Sequence, residues 1–219
     1  MLKLYYGPGA CSFVPHAALE IIKAATGEEF DTQLVKLHKG EQNSPEFRAI
    51  NPDGQVPVLI VNDRPLTQII GICSYLDARY PQAHLLPAEP EARARMLSTM
   101  AWMNNTVHPT FTHIFMPFKY AEDKAAQEEL KRYNKILFTQ QLARIAGMVD
   151  QADPYLNGAQ LSLLDLYAVV FLRWGGLAGI DPDSMPGYKA FVERLAALPP
   201  LAATLARENQ PLHYFKKAA

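Results

Sequence analysis

A short proline-rich stretch, residues 81–90, divides the chain into two parts with different patterns of hydrophobic residues. Before this stretch, segments of strand and helix character are short and alternate. After it, apolar residues recur at spacings of three and four, which is typical of amphipathic helices. The pattern predicts a sheet-based domain over 1–80, a linker over 81–90 and a helical domain over 91–219.

The first part predicts the order strand, helix, strand, helix, strand, strand, helix (βαβαββα). The predicted strands are 2–6, 31–37, 58–61 and 65–67, and the predicted helices are 11–25, a short one from Ser44, and 68–80. Ser44 and Pro45 are typical of a helix start, with serine as the cap and proline in the first turn. These elements favour an α/β domain in which helices cover the faces of a sheet.

The second part predicts helices only, at 91–118, 123–150, 162–179, 186–197 and 199–207. Ser162 and Asp165 have the spacing of a capping box, in which an acidic side chain reaches back to the backbone at the helix start. The second domain is therefore predicted to be an all-α bundle.

The composition excludes several classes of protein. With 219 residues, 49% of them hydrophobic, the chain can bury enough surface to fold. Its 21 Lys+Arg against 22 Asp+Glu give a net charge of −1, which argues against nucleic acid as a partner. Two cysteines cannot form a disulfide scaffold.

Targeting and metal-binding signals are missing from the sequence pattern. Since no run of about 18 apolar residues occurs, we expect no transmembrane helix and no membrane partner. The N-terminal residues lack the apolar region of a signal peptide, so we expect a reducing, cytoplasmic location. No histidine or cysteine spacing fits a zinc site, and no metal is predicted.

Cys11 follows the first predicted strand and a Gly7-Pro8-Gly9 turn, where a helix begins. Backbone N–H groups at a helix N-terminus favour a thiolate, the reactive form of cysteine. Ser12 adds a hydroxyl at the same place. The alternative is that both are buried residues that shape the helix start. Cys73 lies within an apolar helical pattern and is expected in the core.

Two further places carry candidate binding residues. If the Val56–Pro57 bond is cis, the Val56 backbone groups turn outward and can pair with an extended peptide. Asn104 and His108 are four residues apart on a predicted helix and share a face, which suits ligand binding at a cleft. The alternative for His108 is a surface or structurally satisfied histidine. Trp174 is expected in the core.

The order of these features resembles a bacterial glutathione S-transferase, most like the beta class, over essentially the whole chain. The segments that carry the resemblance are 4–12, 51–59, 66–68, 104–109 and 162–167. The resemblance implies a thioredoxin-like N-terminal domain, an all-helical C-terminal domain, a homodimer and a cis Val56–Pro57 bond. It also implies detoxification chemistry, with glutathione as co-substrate and no permanently bound cofactor.

The resemblance assigns roles around the glutathione sulfur. Cys11 lies near this sulfur or forms a mixed disulfide with it, Ser12 donates to the thiolate, and His108 lies near the thiol. The implied glutathione-binding residues are Lys39, Gln55, Val56, Gln68, Ile69 and Asn104. Among them, Lys39 reaches the glycyl carboxylate, the Val56 backbone pairs with the cysteinyl unit, and Gln68 holds the γ-glutamyl amine.

Ile69 departs from the family pattern, which has serine at this position. The backbone N–H at the helix start remains as a donor for the γ-glutamyl carboxylate, but the hydroxyl is lost. Losing one hydrogen bond to a charged group weakens binding by roughly 10- to 150-fold. The bulk of Ile69 is also expected to crowd the site.

Three functions follow as hypotheses. The first is conjugation of the glutathione thiolate to small apolar electrophiles. The second is monothiol redox chemistry through a mixed disulfide at Cys11. The third is non-catalytic binding with weakened affinity for glutathione. The electrophile pocket is expected near 104–120, where four apolar side chains cluster, although these also suit the domain core: Phe111, Phe115, Met116 and Phe118.

Overall fold

A computed structural model describes residues 1–216. The first part of the chain contains a four-stranded sheet. The strands are β1 (Leu2–Tyr6), β2 (Phe30–Leu34), β3 (Val58–Val61) and β4 (Arg64–Thr67). Their spatial order is β2-β1-β3-β4, with β1 parallel to β2 and the other two pairs antiparallel. The predicted βαβαββα order is confirmed, and the first part of the chain is a thioredoxin-like α/β unit.

The helices agree closely with the predicted ones. They are α1 (Phe13–Thr26), α2 (Pro45–Ile50), α3 (Ile69–Arg79), α4 (Pro90–Trp102), α5 (His108–Phe115), α6 (Lys124–Val149), α7 (Leu163–Leu177), α8 (Pro186–Ala196) and α9 (Pro199–Glu208). Ser44 caps α2 as expected, because its hydroxyl accepts from the Phe47 N–H at 3.2 Å. Between Pro90 and residue 216, the chain contains helices and turns and adds no strand to the sheet.

The helix predicted over 91–118 is confirmed as far as Phe115, because the backbone is helical without interruption to that residue, but it is not α-helical throughout and it ends before 118. The segment contains α4, a π-helical stretch at Met103–Val107, α5, and a 3₁₀ turn at Pro117–Lys119. Pro109 stands at the start of α5 and has no N–H to continue the α-helical ladder. A wider π turn accommodates that missing bond, and such turns are frequent at functional sites.

The predicted second strand also extends too far. Leu37, expected at the end of that strand, begins a 3₁₀ turn that runs to Lys39. A second 3₁₀ turn at Glu41–Asn43 leads into α2. The chain therefore leaves the sheet edge early and places Lys39 on an exposed turn.

The register of the central strands brings two loops together. Tyr5, near the end of β1, pairs with Val58, the first residue of the antiparallel strand β3. The turn that follows β1 and the loop that precedes β3 therefore emerge at the same end of the sheet. This arrangement places Cys11 beside Val56.

One main hydrophobic core runs through both parts of the chain. It includes Leu4 and Phe13 from the first part and Phe138 and Leu166 from the second, all fully buried. Helix α1 packs against α7 and α9, so the sheet unit and the helical bundle share this core. Among residues 1–216, no helix combines the length and the apolar character needed to span a bilayer.

Candidate active site

The turn between β1 and α1 is held by Ser12. Its hydroxyl accepts from the Gly7 N–H and donates to the Gly7 carbonyl, each at 3.1 Å, and the side chain is fully buried. The hydroxyl has one hydrogen to donate, and that hydrogen is used within the turn. The structure therefore places Ser12 as a support of the turn, directly beside Cys11.

The Cys11 side chain is 8% exposed, and its Sγ lies 3.7 Å from the Val56 carbonyl oxygen. Burial raises the pKa of Cys11 to about 12, and the Glu208 carboxylate adds to this effect. The backbone N–H groups of Cys11 and Ser12 act in the opposite direction but are outweighed. The expectation of a thiolate is wrong for this structure, because desolvation of the sulfur exceeds the stabilisation from the helix start.

The Val56–Pro57 bond is cis, as the resemblance implied. The Val56 carbonyl accepts from the Cys11 thiol, and within residues 1–216 the Val56 N–H has no hydrogen-bond partner. Asn51 supports this loop by donating from its side chain to the Gln55 carbonyl at 2.8 Å. The Gln55 side chain is exposed. A peptide that lies along this loop can thus pair with the Val56 backbone beside the thiol.

Gln68 and Ile69 lie at the start of α3 and differ in exposure. Gln68 is exposed with a left-handed φ of 67°, and its carbonyl accepts the first helical N–H, from Ile72, at 2.9 Å. The Ile69 N–H is one of the helix-start donors that lack an intrahelical partner. The Ile69 side chain is 3% exposed and packs in the main core. The expectation that its bulk crowds the site is wrong, because the side chain points into the protein.

Lys39 is exposed on its 3₁₀ turn and has no ion pair in the described part of the chain. Its ammonium group is therefore free to meet an anion. Together with the helix-start N–H groups of α3, it supplies two anion-binding positions on the sheet unit. The resemblance assigns these two positions to the glycyl carboxylate and the γ-glutamyl carboxylate of glutathione.

The helical part of the chain forms the other side of the candidate site, called here the helical wall. Tyr167 donates its hydroxyl to Asn104 Oδ1 at 3.0 Å, and the His108 ring centroid lies 4.8 Å from the Trp174 ring centroid. Tyr167 and Trp174 are about two turns apart on α7 and share a face. Asn104 and His108 therefore both face α7, which agrees with the predicted shared face. Burial lowers the pKa of His108 to about 4, so the imidazole is neutral at pH 7 and keeps one N–H donor.

Trp174 joins this wall to the cysteine turn. It is buried, as expected for a core residue, but its indole N–H donates to the Gly9 carbonyl at 2.9 Å. A buried tryptophan needs a partner for that N–H, which is the only sequence signal that could have indicated this role. Tyr167 and Glu208 were missed as well, since nothing in the sequence pattern brings α7 and α9 to the cysteine turn.

A column of aromatic rings runs from Trp174 to the surface. Phe111 stacks on Trp174 with ring centroids 4.4 Å apart and on Phe115 at 5.5 Å. Phe111 is buried, whereas Phe115 and Phe118 are 57% and 63% exposed. The segment predicted to line an apolar pocket therefore contributes both core and exposed aromatic surface. No group of histidine, cysteine or acidic side chains in residues 1–216 is arranged to hold a metal ion.

Comparison with known proteins assigns both parts of the chain. The glutathione S-transferase N-terminal domain family matches residues 1–78, and the C-terminal domain family matches residues 100–199. Glutathione S-transferase GstA of Escherichia coli O157:H7 is 27% identical over 216 residues, which cover 95% of this chain and 99% of that protein.

Two solved structures share the fold over nearly their whole length. A glutathione transferase homologue from Sulfitobacter with bound glutathione has a TM-score of 0.86 at 27% identity, covering 94% of this chain and 98% of that one. The bacterial beta class glutathione S-transferase of Sphingomonas chungbukensis has a TM-score of 0.79 at 30% identity, again covering 94% and 98%. Because the two domain families together match most of the chain and the whole-length relatives share its fold, the chain belongs to the glutathione S-transferase family.

Proposed function

We propose that this transferase conjugates glutathione to small apolar electrophiles, with Cys11 acting as a neutral hydrogen-bond donor. The observation that carries the proposal is the Cys11 thiol, 3.7 Å from the Val56 carbonyl at the edge that a peptide would occupy. When the cysteinyl N–H of glutathione takes the Val56 carbonyl, the single S–H hydrogen of Cys11 turns to the glutathione sulfur, where it stabilises the thiolate and lowers the pKa of the glutathione thiol. The glutathione thiolate, rather than Cys11, is then the nucleophile.

The binding groups fit the parts of glutathione. The free Val56 N–H and its carbonyl pair with the cysteinyl unit, Lys39 meets the glycyl carboxylate, and Gln68 holds the γ-glutamyl amine. The Ile69 N–H contributes from the start of α3, and Gln55 and Asn104 complete the set. Exposed aromatic surface at Phe115 and Phe118 suits an apolar second substrate.

The burial of Cys11 favours conjugation over redox chemistry. To form a mixed disulfide, the Cys11 thiolate must attack a disulfide such as oxidised glutathione, and burial raises the pKa of the Cys11 thiol to about 12. At pH 7 the thiol form therefore dominates. Ser12 supports the cysteine turn through its hydrogen bonds to Gly7. The neutral His108 supplies a second hydrogen-bond donor near the glutathione sulfur, from the helical part.

Turnover of glutathione with a chromogenic aryl halide tests the proposal. We expect kcat/KM to fall about tenfold or more in Cys11→Ala, because the donor to the thiolate is lost. Cys11→Ser is the matched control, since its hydroxyl keeps a donor at the same place, and it should retain more activity than Cys11→Ala. His108→Ala is expected to reduce turnover as well.

Two results would contradict conjugation by a protein that binds glutathione. One is a parent protein that shows no conjugation although calorimetry detects glutathione binding. The other is a glutathione adduct on Cys11 in intact-protein mass spectrometry after incubation with oxidised glutathione, which would favour the redox alternative. No binding heat at millimolar glutathione, together with binding of an apolar ligand, would favour a binding protein.

We also infer a cytoplasmic homodimer with domains over 1–80 and 91–219. The support is the similarity to whole-length relatives of the family and the two domain families that match residues 1–78 and 100–199. Light scattering should give a mass twice the 24.4 kDa of one chain. A mass equal to one chain at micromolar concentration would contradict the dimer.

A further inference from the structure

Gly9, on the turn that carries Cys11, is held by residues from the far end of the chain. Its N–H donates to Glu208 Oε2 at 3.0 Å, and its carbonyl accepts from the Trp174 indole at 2.9 Å. Both polar groups of this peptide unit are therefore fixed by the helical part of the protein.

Tyr214 packs directly against the same glycine. A Cβ added to Gly9 would lie only 2.4 Å from the Tyr214 hydroxyl, and the φ of Gly9 is 73°. Glycine is required here for both reasons, because a side chain would clash and the backbone is left-handed. The tyrosine and the turn are thus fitted to each other without space between them.

The Tyr214 hydroxyl also connects to the residues that hold Gly9. It accepts from Arg173 Nη2 at 2.9 Å and donates to Gln210 Oε1 at 3.1 Å. Arg173 is 1% exposed, and its Nη1 lies 4.0 Å from Glu208 Oε2, the oxygen that accepts from Gly9. A continuous set of contacts therefore runs from Tyr214 through Arg173 and Glu208 to the cysteine turn.

The backbone around Tyr214 has a matching seat on α7. A Cβ on Gly176 would meet the Phe215 nitrogen at 2.6 Å and the Tyr214 carbonyl carbon at 3.2 Å. Only glycine at this position lets the chain approach so closely. The segment after α9 is therefore seated on α7 at the same end as Trp174.

We propose that Tyr214 is a positioning residue for the cysteine turn. By fixing Arg173 and, through it, Glu208, the tyrosine hydroxyl holds Gly9 in place and keeps the Cys11 thiol against the Val56 carbonyl. Its effect on turnover rests on the function proposed above. Its effect on the exposure of the Cys11 thiol does not, so the two can fail separately.

Tyr214→Phe tests this role, since it removes the hydroxyl and keeps the ring. In the folded variant we expect alkylation of Cys11 by iodoacetamide to become about tenfold faster, because the turn opens locally. Cys73 is fully buried and serves as the internal reference, which should stay unlabelled. For conjugation, we expect kcat to fall about tenfold while KM for glutathione changes less than about twofold.

Tyr133→Phe is the matched control, because Tyr133 is 53% exposed on α6 and should leave both readouts unchanged. Tyr214→Ala removes the ring as well, and in this variant Cys11 should be alkylated at least as fast as in Tyr214→Phe. Unchanged Cys11 alkylation in both Tyr214 variants would overturn the proposal. Equal labelling of Cys11 and Cys73 would also overturn it, since that indicates global unfolding. Faster Cys11 labelling in a protein without conjugation activity would support the positioning role and contradict the proposed function.

Discussion

His108 is neutral in the folded protein, and this makes stability depend on pH. Burial lowers its pKa to about 4, whereas an exposed histidine titrates near 6.5. Between these values the unfolded chain binds the proton and the folded protein does not. The stabilisation is therefore complete above about pH 6.5 and is lost as the pH falls toward 4, by up to about 3 kcal/mol.

Urea unfolding of the parent protein and of His108→Phe measures this contribution. The phenylalanine keeps a ring against Trp174 but does not titrate. We expect the free energy of unfolding of the parent to fall relative to the variant as the pH decreases from 6.5 to 4.5. A difference between the two proteins that stays constant over this range would contradict the burial of a neutral imidazole.

Cys11 illustrates what the sequence could predict about a single residue. Its position after a strand and a glycine-rich turn correctly indicated a helix start at the site. The sequence could not indicate that the sulfur is buried or that Glu208, on the last helix, faces the turn. Both effects raise the pKa of the thiol and oppose the local effect of the helix N-terminus. The expectation that Ile69 crowds the site was wrong for the same reason, because the exposure of its side chain depends on how α3 packs.

At the scale of an element, the capping box of α7 makes the clearest prediction. The buried Asp165 carboxylate accepts from the Ser162 N–H at 2.7 Å, the Ser162 hydroxyl at 2.7 Å and the Leu156 N–H at 2.8 Å. In Asp165→Asn, an amide replaces one acceptor oxygen and faces backbone donors. We expect a loss of about 3 kcal/mol, which lowers Tm by roughly 6–12 °C.

Asp123→Asn is the control for this measurement. Asp123 caps α6 through one exposed bond, to the Ala126 N–H at 2.9 Å, and its replacement should cost about 1 kcal/mol or less. Thermal unfolding followed by circular dichroism compares the two variants. Equal Tm values for both would show that the burial of Asp165 adds nothing to its capping role.

The elements were predicted well where their causes are local. Ser44 is the N-cap of α2, and Ser162 and Asp165 form the capping box of α7; a short sequence window contains both signals. The strand positions follow from alternating propensity. The π-helical stretch that joins α4 and α5 was not predicted, because helical spacing continues through it. Pro109 was the available signal, since a proline inside a helical pattern removes one backbone bond. Which turn then absorbs the irregularity depends on packing against α7.

The contact between the two parts of the chain was beyond the reach of sequence patterns. Trp174 and Glu208 contact Gly9 although most of the length of the chain lies between Gly9 and these two residues. Such contacts depend on how α1 packs against α7 and α9, which no short window of sequence encodes. Hydrophobic spacing gave each part its fold class, but the site is built where the two parts meet.

Because one core runs through both parts, the whole molecule should unfold as a single unit. Phe13 on α1 is fully buried, and its ring lies 5.6 Å from the Arg173 guanidinium on α7. Phe13→Ala leaves a cavity at this junction and should lower the free energy of unfolding by about 3–5 kcal/mol.

Two probes report separately on the two parts: the fluorescence of Trp102 and Trp174, and the alkylation of Cys73 on α3. Under increasing urea, both probes should give the same midpoint in the parent protein and the same lowered midpoint in the variant, as two-state unfolding requires. If Cys73 became reactive at a urea concentration where the tryptophan signal is still native, the sheet part would be opening on its own, and the shared core would not couple the two halves of the site.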